Sequence, residues 1–426
     1  MKKILRKITA FCLGALMVCP IVSAYGCGRA DLKVYNCYDY IDESVIEDFK
    51  AYYKEKTGKA ISVQYSCYDT PEDLYNMLKM KGSDYDVVCP SDYMIEKMAR
   101  EGMLQKINLP ENSVYEANVS PFIKEKFESV KWGDNNEYNL SQYAIGYMWG
   151  TMGLCYNPEK VDAEDMKSWA TLWDTEFNVN FSIKNSIRDT YFIGLAKKYQ
   201  SELEANKANF HTDYATYYAN LKNYFNDVEV ATVNDMANIL KALKNNAYCM
   251  EVDEGKDKIA DGETDVYFAW SGDAVYAMDI ADKRNKELMY SVPEEGSNVW
   301  FDGWCIPTTA KNPELAVEFI EFLSKSESVI KNMEETGYVS CVGCDEVFDW
   351  VKETYGDEEG AIEVNLDYFF KRAGSDSEYV VKTDVLGRQF SAQYPEYNVI
   401  KRCVMMNYFG DEANDRVGKM WITVKG

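Results

Sequence analysis

Apolar residues along the chain fall into two recurring patterns, short runs of strand length and longer stretches with an apolar residue every three or four positions. Lys33-Val34-Tyr35-Asn36 has the length and residue types of a strand. Over residues 42–56, Val45, Ile46, Phe49 and Tyr53 share one helical face, and Gly58 supplies a stop. Ile61, Val63 and Tyr65 alternate as a strand does. Residues 71–81 predict a helix with Leu74, Met77 and Leu78 inward, 86–89 a buried strand, and 95–101 a further helix. This β-α-β-α alternation predicts a parallel sheet covered by helices. Around 147–156 the chain turns apolar beside Gly146, Gly150 and Gly153, which reads as a strand crossing into a second α/β unit. That unit holds predicted helices at 189–199 and 233–245 and a strand at 266–270. Residues 313–324 are strongly amphipathic, with Ala316, Val317, Phe319, Ile320, Phe322 and Leu323 apolar. No repeat or low-complexity linker separates the units, so the expected class is α/β, with two lobes joined by crossing strands.

The start of the chain reads differently. Lys2, Lys3, Arg6 and Lys7 precede an apolar run over 8–24 that is interrupted by Pro20, the pattern of a secretory signal. Two cleavage readings compete. Val22-Ser23-Ala24 fits ordinary signal cleavage. Ala24-Tyr25-Gly26-Cys27 resembles a bacterial lipobox, although Leu and a small residue are preferred where Ala24 and Tyr25 stand. A cysteine directly after the apolar run is otherwise unexplained, so residues 1–27 are expected to form a signal and lipoprotein segment, with Cys27 lipidated. The mature chain would then be held at the outer cell surface or in the periplasm. No later run is long enough to span a bilayer.

The formal net charge is -24, from 46 basic and 70 acidic residues. Such a surface repels nucleic acid and anionic lipid and attracts cations. It equally serves to keep a secreted protein soluble. Of 12 cysteines, nine follow Cys27, an odd and scattered set that is not a disulfide framework. Cys341-Val342-Gly343-Cys344 is a lone pair, and with His211 as the single histidine no metal site is expected. GxGxxG, Walker A, HExxH and GxSxG signatures are absent, and one histidine argues against Ser-His or Cys-His catalysis. No enzyme activity and no cofactor are expected, although abundant carboxylates keep a secreted carboxylate-dependent hydrolase open as a rival.

Aromatic residues beside carboxylates recur in predicted strand-end loops: Tyr38-Asp39-Tyr40, Ser91-Asp92-Tyr93, Trp270-Ser271-Gly272-Asp273 and Trp300-Phe301-Asp302. Ligands of open α/β sheets bind beyond the carboxyl ends of strands. Ring faces attract ammonium groups by about 0.5–2 kcal/mol each, and a carboxylate adds a charge-assisted hydrogen bond. The pattern suits an aromatic cage for a flexible di- or triamine. With 33 tyrosines in the chain, such neighbours also arise by chance.

Read together, nine blocks in order resemble the spermidine/putrescine-binding proteins of bacterial ABC transporters. They run from Val34-Tyr35-Asn36-Cys37-Tyr38-Asp39-Tyr40-Ile41 through Tyr85-Asp86-Val87-Val88-Cys89-Pro90-Ser91-Asp92-Tyr93 and residues 101–107. They continue with Met148-Trp149-Gly150-Thr151, residues 168–173, Ser186-Ile187-Arg188-Asp189-Thr190, Trp270-Ser271-Gly272-Asp273-Ala274, Trp300-Phe301-Asp302-Gly303 and Glu335-Thr336-Gly337-Tyr338. The resemblance implies a two-lobed periplasmic-binding-protein fold of type II, with mainly parallel sheets, flanking helices and a ligand cleft that closes by a hinge. It suggests lobes of 31–150 plus 301–346 and of 151–300 plus 347–426. It also implies roles: Asp302 pairs with an amine near the cleft centre, and Asp189 holds a terminal amine. Trp270 and Trp300 line the alkyl chain, with Tyr40, Tyr93 and Tyr338 completing the box. Asp39, beside Tyr38, stands at the family's Glu position, and Ser91 is a polar contact. Cys37 stands where the family has Trp, and Ser186 where spermidine binders carry a second acid. The stretch 340–410 is longer than the family's core. The implied partners are a small cationic ligand, a polyamine, and the permease subunits of an importer; a monomer is expected. A same-fold binder of another organic cation or a sugar remains open.

Overall fold

The computed structural model describes residues 29–426; Cys27 and both cleavage readings lie outside the described residues. Strand Leu32–Cys37 is flanked by Val63–Tyr68 and Val87–Val88, both parallel to it. The connecting helices are those the periodicity predicts. Ser44–Thr57 buries Val45, Ile46 and Phe49 and ends at Gly58, whose φ of 74° suits a residue without a β-carbon. Pro71–Lys79 begins on Thr70, whose hydroxyl accepts the Asp73 N–H. Asp92–Arg100 follows the third strand.

Two longer strands carry the chain between halves. Ala144–Tyr156 is buried along its whole length, and Ser297–Cys305 runs antiparallel to its first part, from Ala144 opposite Cys305 to Thr151 opposite Val299. Its second part, Met152 to Tyr156, pairs antiparallel with Val266–Trp270. That strand is in turn parallel to Phe181–Lys184, which is parallel to Cys249–Glu251. The parallel triplets at the two ends are therefore welded through antiparallel crossing strands.

Each half has its own core. Val34, Phe49, Ile95, Trp149, Phe301 and Phe319 belong to one, and Leu154, Trp169, Phe192, Leu240 and Phe268 to the other. Trp270 and Trp300 pack against both and so stand at the joint. The C-terminal part packs differently from the expected lobe division. Val347, Val351, Leu366, Phe370 and Tyr394 join the first core, and the final helix Asp411–Lys425 brings Val417, Met420, Trp421 and Val424 to the second. The reason is local: the hairpin of Ile362–Asn365 and Val380–Thr383 buries Val364 and Val381 in the core that already holds helix Asp345–Tyr355. Periodicity shows that such residues are buried and not which lobe they cover. Among the described residues no helix is long and apolar enough to cross a membrane.

Candidate ligand-binding site

The box centres on Asp302. Trp300-Phe301-Asp302 lies inside strand Ser297–Cys305, not in a strand-end loop as the sequence suggested. The pairing with Ala144–Tyr156 breaks register between Phe301 and Gly303, an irregularity of the kind that re-aims a side chain. Asp302 also forms an isolated bridge with Ser91. The Tyr40 hydroxyl donates to Oδ2 of Asp302 at 2.7 Å, and the Ser91 hydroxyl also bonds this carboxylate. Oδ1 is screened from solvent and has no hydrogen-bond partner among the described residues. Burial raises the Asp302 pKa to about 6, against the pull of the two hydroxyls.

Rings cluster beside this carboxylate. Tyr40 meets Tyr338 edge-on at 5.2 Å between centroids, and Tyr338 meets Trp300 edge-on at 5.4 Å. Their close seating depends on two glycines. A β-carbon on Gly272 would lie 2.2 Å from the Tyr338 ring, and one on Gly150 would lie 2.7 Å from the Trp300 ring. The Tyr338 hydroxyl reaches past the box and donates to Oδ1 of Asp273 at 2.7 Å. Asp273 lies in the first turn of helix Ser271–Lys283, with Trp270 as its N-cap. The sequence read this stretch as a loop. Gly272 obscured the helix start, because its role is to admit the tyrosine ring.

Asp189 marks the other end. It lies in the first turn of helix Ile187–Lys198, and its N–H donates to the capping hydroxyl of Ser186 at 3.5 Å. Burial raises its pKa; hydrogen bonds from Ser186 and Trp270 and the charges of Lys184 and Arg188 oppose that. Ser186 thus serves the helix terminus. Tyr93, expected to complete the box, is held by charged neighbours. The Arg188 guanidinium stacks over its ring at 3.9 Å, and its hydroxyl donates to Glu72 at 3.2 Å. Arg188 also stacks on Phe409 at 4.1 Å. Tyr38, 59% exposed, and Asp39, in a left-handed turn with φ of 50°, stand at the rim. Cys37 lies close enough to Asp302 for that charge, after burial, to help push its thiol up to about 12.

Two residues escaped the sequence reading of the site, Arg188 and Lys184, and a third, Asp92, stood in a recognised motif without a role of its own. Buried Asp92 accepts the backbone N–H groups of Tyr93 and Phe301, and burial pushes its pKa up to about 8. Arg188 and Lys184 bring positive charge to the same end as Asp189. A lysine closing the apolar run Phe181-Ser182-Ile183 was the available signal for the last.

A half-buried carboxylate beside a cluster of rings, between two halves joined by crossing strands, is an arrangement for holding a cation. Comparison with known proteins places the chain in a family. Residues 46–342 match the family model of the bacterial extracellular solute-binding proteins. The spermidine/putrescine-binding periplasmic protein of Escherichia coli K12 is 28% identical over 339 residues, covering 79% of this chain and 84% of the relative. The putrescine-binding periplasmic protein SpuD of Pseudomonas aeruginosa is 30% identical over 304 residues, covering 70% and 74%. In fold, a solved putative spermidine/putrescine ABC transporter protein of Listeria monocytogenes superposes with a TM-score of 0.66 at 23% identity, over 92% of this chain and 98% of that one. The chain belongs to the bacterial extracellular solute-binding protein family.

Proposed function

We propose that the chain is the extracytoplasmic solute-binding component of an ABC importer and captures a polyamine, spermidine or putrescine, for delivery to membrane permeases. The observation that carries this reading is Asp302. Its carboxylate accepts from Tyr40, whose ring packs on Tyr338 and through it on Trp300, and no cationic side chain among the described residues pairs with it. Asp302 is half-buried with its Oδ1 screened and unpartnered, and a carboxylate so placed without a countercharge is costly, so the site favours a cation brought from outside. Asp189, near Trp270, offers the second carboxylate for the far amine. Ligand contacts to both halves would shift the population toward the closed form. Micromolar capture needs about -8 kcal/mol, within reach of two ammonium–carboxylate pairs and several ring contacts. The names of the relatives support the same ligand class. Lipid anchoring through Cys27 and a monomeric state complete the proposal, with the lobes meeting at Trp270 and Trp300.

Calorimetric titration of residues 28–426 with spermidine, putrescine, spermine and choline tests it. Low-micromolar or tighter binding of a polyamine is expected, weakened at least tenfold by Asp302→Asn. Choline heat without polyamine heat would select a quaternary-amine binder, and silence with all four would remove the ligand class while leaving the family.

A further inference from the structure

One ammonium group already sits inside the candidate box. Lys184, the last residue of strand Phe181–Lys184, is fully buried, and its Nζ lies 3.9 Å from the centroid of the Trp270 ring. Nζ is 3.1 Å from Oδ2 of Asp273 and 2.9 Å from the Val252 carbonyl, bonds the Tyr267 hydroxyl, and lies 3.9 Å from Glu251. Asp273 is in turn the carboxylate that accepts the Tyr338 hydroxyl. An unbroken chain of contacts therefore runs from Asp302 through Tyr40, the edge-on ring of Tyr338 and Asp273 to Lys184 and Trp270. Lys256, paired with Asp253 at 2.7 Å, is a second lysine whose charge acts on Asp273.

We infer that Lys184 is a specificity-determining residue: its resident ammonium takes the cation place at Asp273 beside Trp270, leaving Asp302 and Asp189 to receive a ligand of two charges. The preferred ligand is then a diamine rather than a triamine. This rests on the polyamine reading above and narrows it. Ser186 points the same way, since its hydroxyl is already engaged in capping and brings no further carboxylate to that end. A third ligand ammonium entering at Trp270 meets the Lys184 charge, the Asp189 carboxylate that hydrogen-bonds Trp270 is already taken by the second amine, and Asp273 is already paired with Lys184.

Parallel titrations of putrescine and spermidine into wild type, Lys184→Met and the charge-matched double variant Lys184→Met/Asp273→Asn test the inference. Wild type is expected to bind putrescine at least as tightly as spermidine. Lys184→Met frees Asp273 and is expected to raise the spermidine-to-putrescine affinity ratio at least tenfold; the double variant is expected to return it to within threefold of wild type. A smaller rise in Lys184→Met, with the fold intact by circular dichroism, overturns the inference. Should Lys184→Met fail to fold, the wild-type ratio decides, and tighter spermidine than putrescine overturns it. If wild type binds neither amine, the polyamine reading itself falls and carries the inference with it.

Discussion

Asp302 and Asp273 are two acids of one box held in opposite ways. Asp302 has hydroxyl donors and no cationic partner among the described residues, and burial lifts its pKa to about 6. Asp273 is the more deeply buried, yet its pKa lies below the usual carboxylate range, because Lys184, Lys256 and the hydroxyls of Tyr338 and Tyr267 outweigh desolvation. Proximity to rings is common to both, so it does not separate a ligand acid from a structural one. The countercharge does. The largest effect that could break this comparison is on stability. Removing one partner of a buried ion pair costs about 3–5 kcal/mol, because the other charge is left uncompensated. Lys184→Met is expected to lose about that much in urea unfolding of the ligand-free protein. A loss below about 1 kcal/mol would mean that Asp273 does not depend on Lys184, and the contrast with Asp302 would fail.

The two acids are joined mechanically by Tyr338, and Gly272 is where that joint can be disturbed. Its missing β-carbon leaves room for the tyrosine ring, which a methyl would meet at 2.2 Å. Overpacking of this kind costs about 1–3 kcal/mol. Gly272→Ala is expected to lower stability in that range and to weaken polyamine binding as well, since the displaced ring contacts both Tyr40 and Trp300. Thermal unfolding with and without ligand separates the two effects. A stability loss with unchanged affinity would show that Tyr338 joins the acids without touching ligand.

How much of this was legible follows from how local each signal is. Tyr40, Trp270, Trp300, Asp302 and Tyr338 sit in short motifs, and the structure brings their side chains into one connected group. The alternation of strands and helices was equally local, and the first three strands and their helices lie within a few residues of their expected places. Lys184 was not legible because its meaning is non-local. A lysine ending an apolar strand reads as a solvated terminus, whereas its partner Asp273 lies 89 positions further on. Arg188 stood inside a recognised block, yet its role depends on Tyr93 from another helix and Phe409 from the C-terminal stretch. The packing of residues 347–400 was hidden for the same reason: an apolar face shows that a segment is buried, and the partner surface comes from the topology.

The pH dependence sharpens the comparison with the mildest perturbation. Burial raises the Asp302 pKa from its ordinary 3.8 to about 6, so the ligand-free protein holds a proton there that the unfolded chain releases. In the ligand-free protein this contributes stability that is fully present below pH 3.8 and is lost as pH rises through about 6. Binding runs the other way. An ammonium ligand needs the carboxylate charged, so affinity is high above pH 6 and falls as the group protonates below it. One unit below the pKa about nine-tenths of the sites are protonated, so about a tenfold loss of affinity is expected between pH 7.5 and 5, or roughly 1.4 kcal/mol. Asp273, held charged by Lys184, is expected to contribute nothing over that range. Asp302→Asn is therefore expected to flatten the profile as well as lower it. A profile of undiminished slope in that variant would move the titrating acid to Asp189, whose pKa is likewise raised by burial, and would make the Asp189 end of the box the one that governs binding.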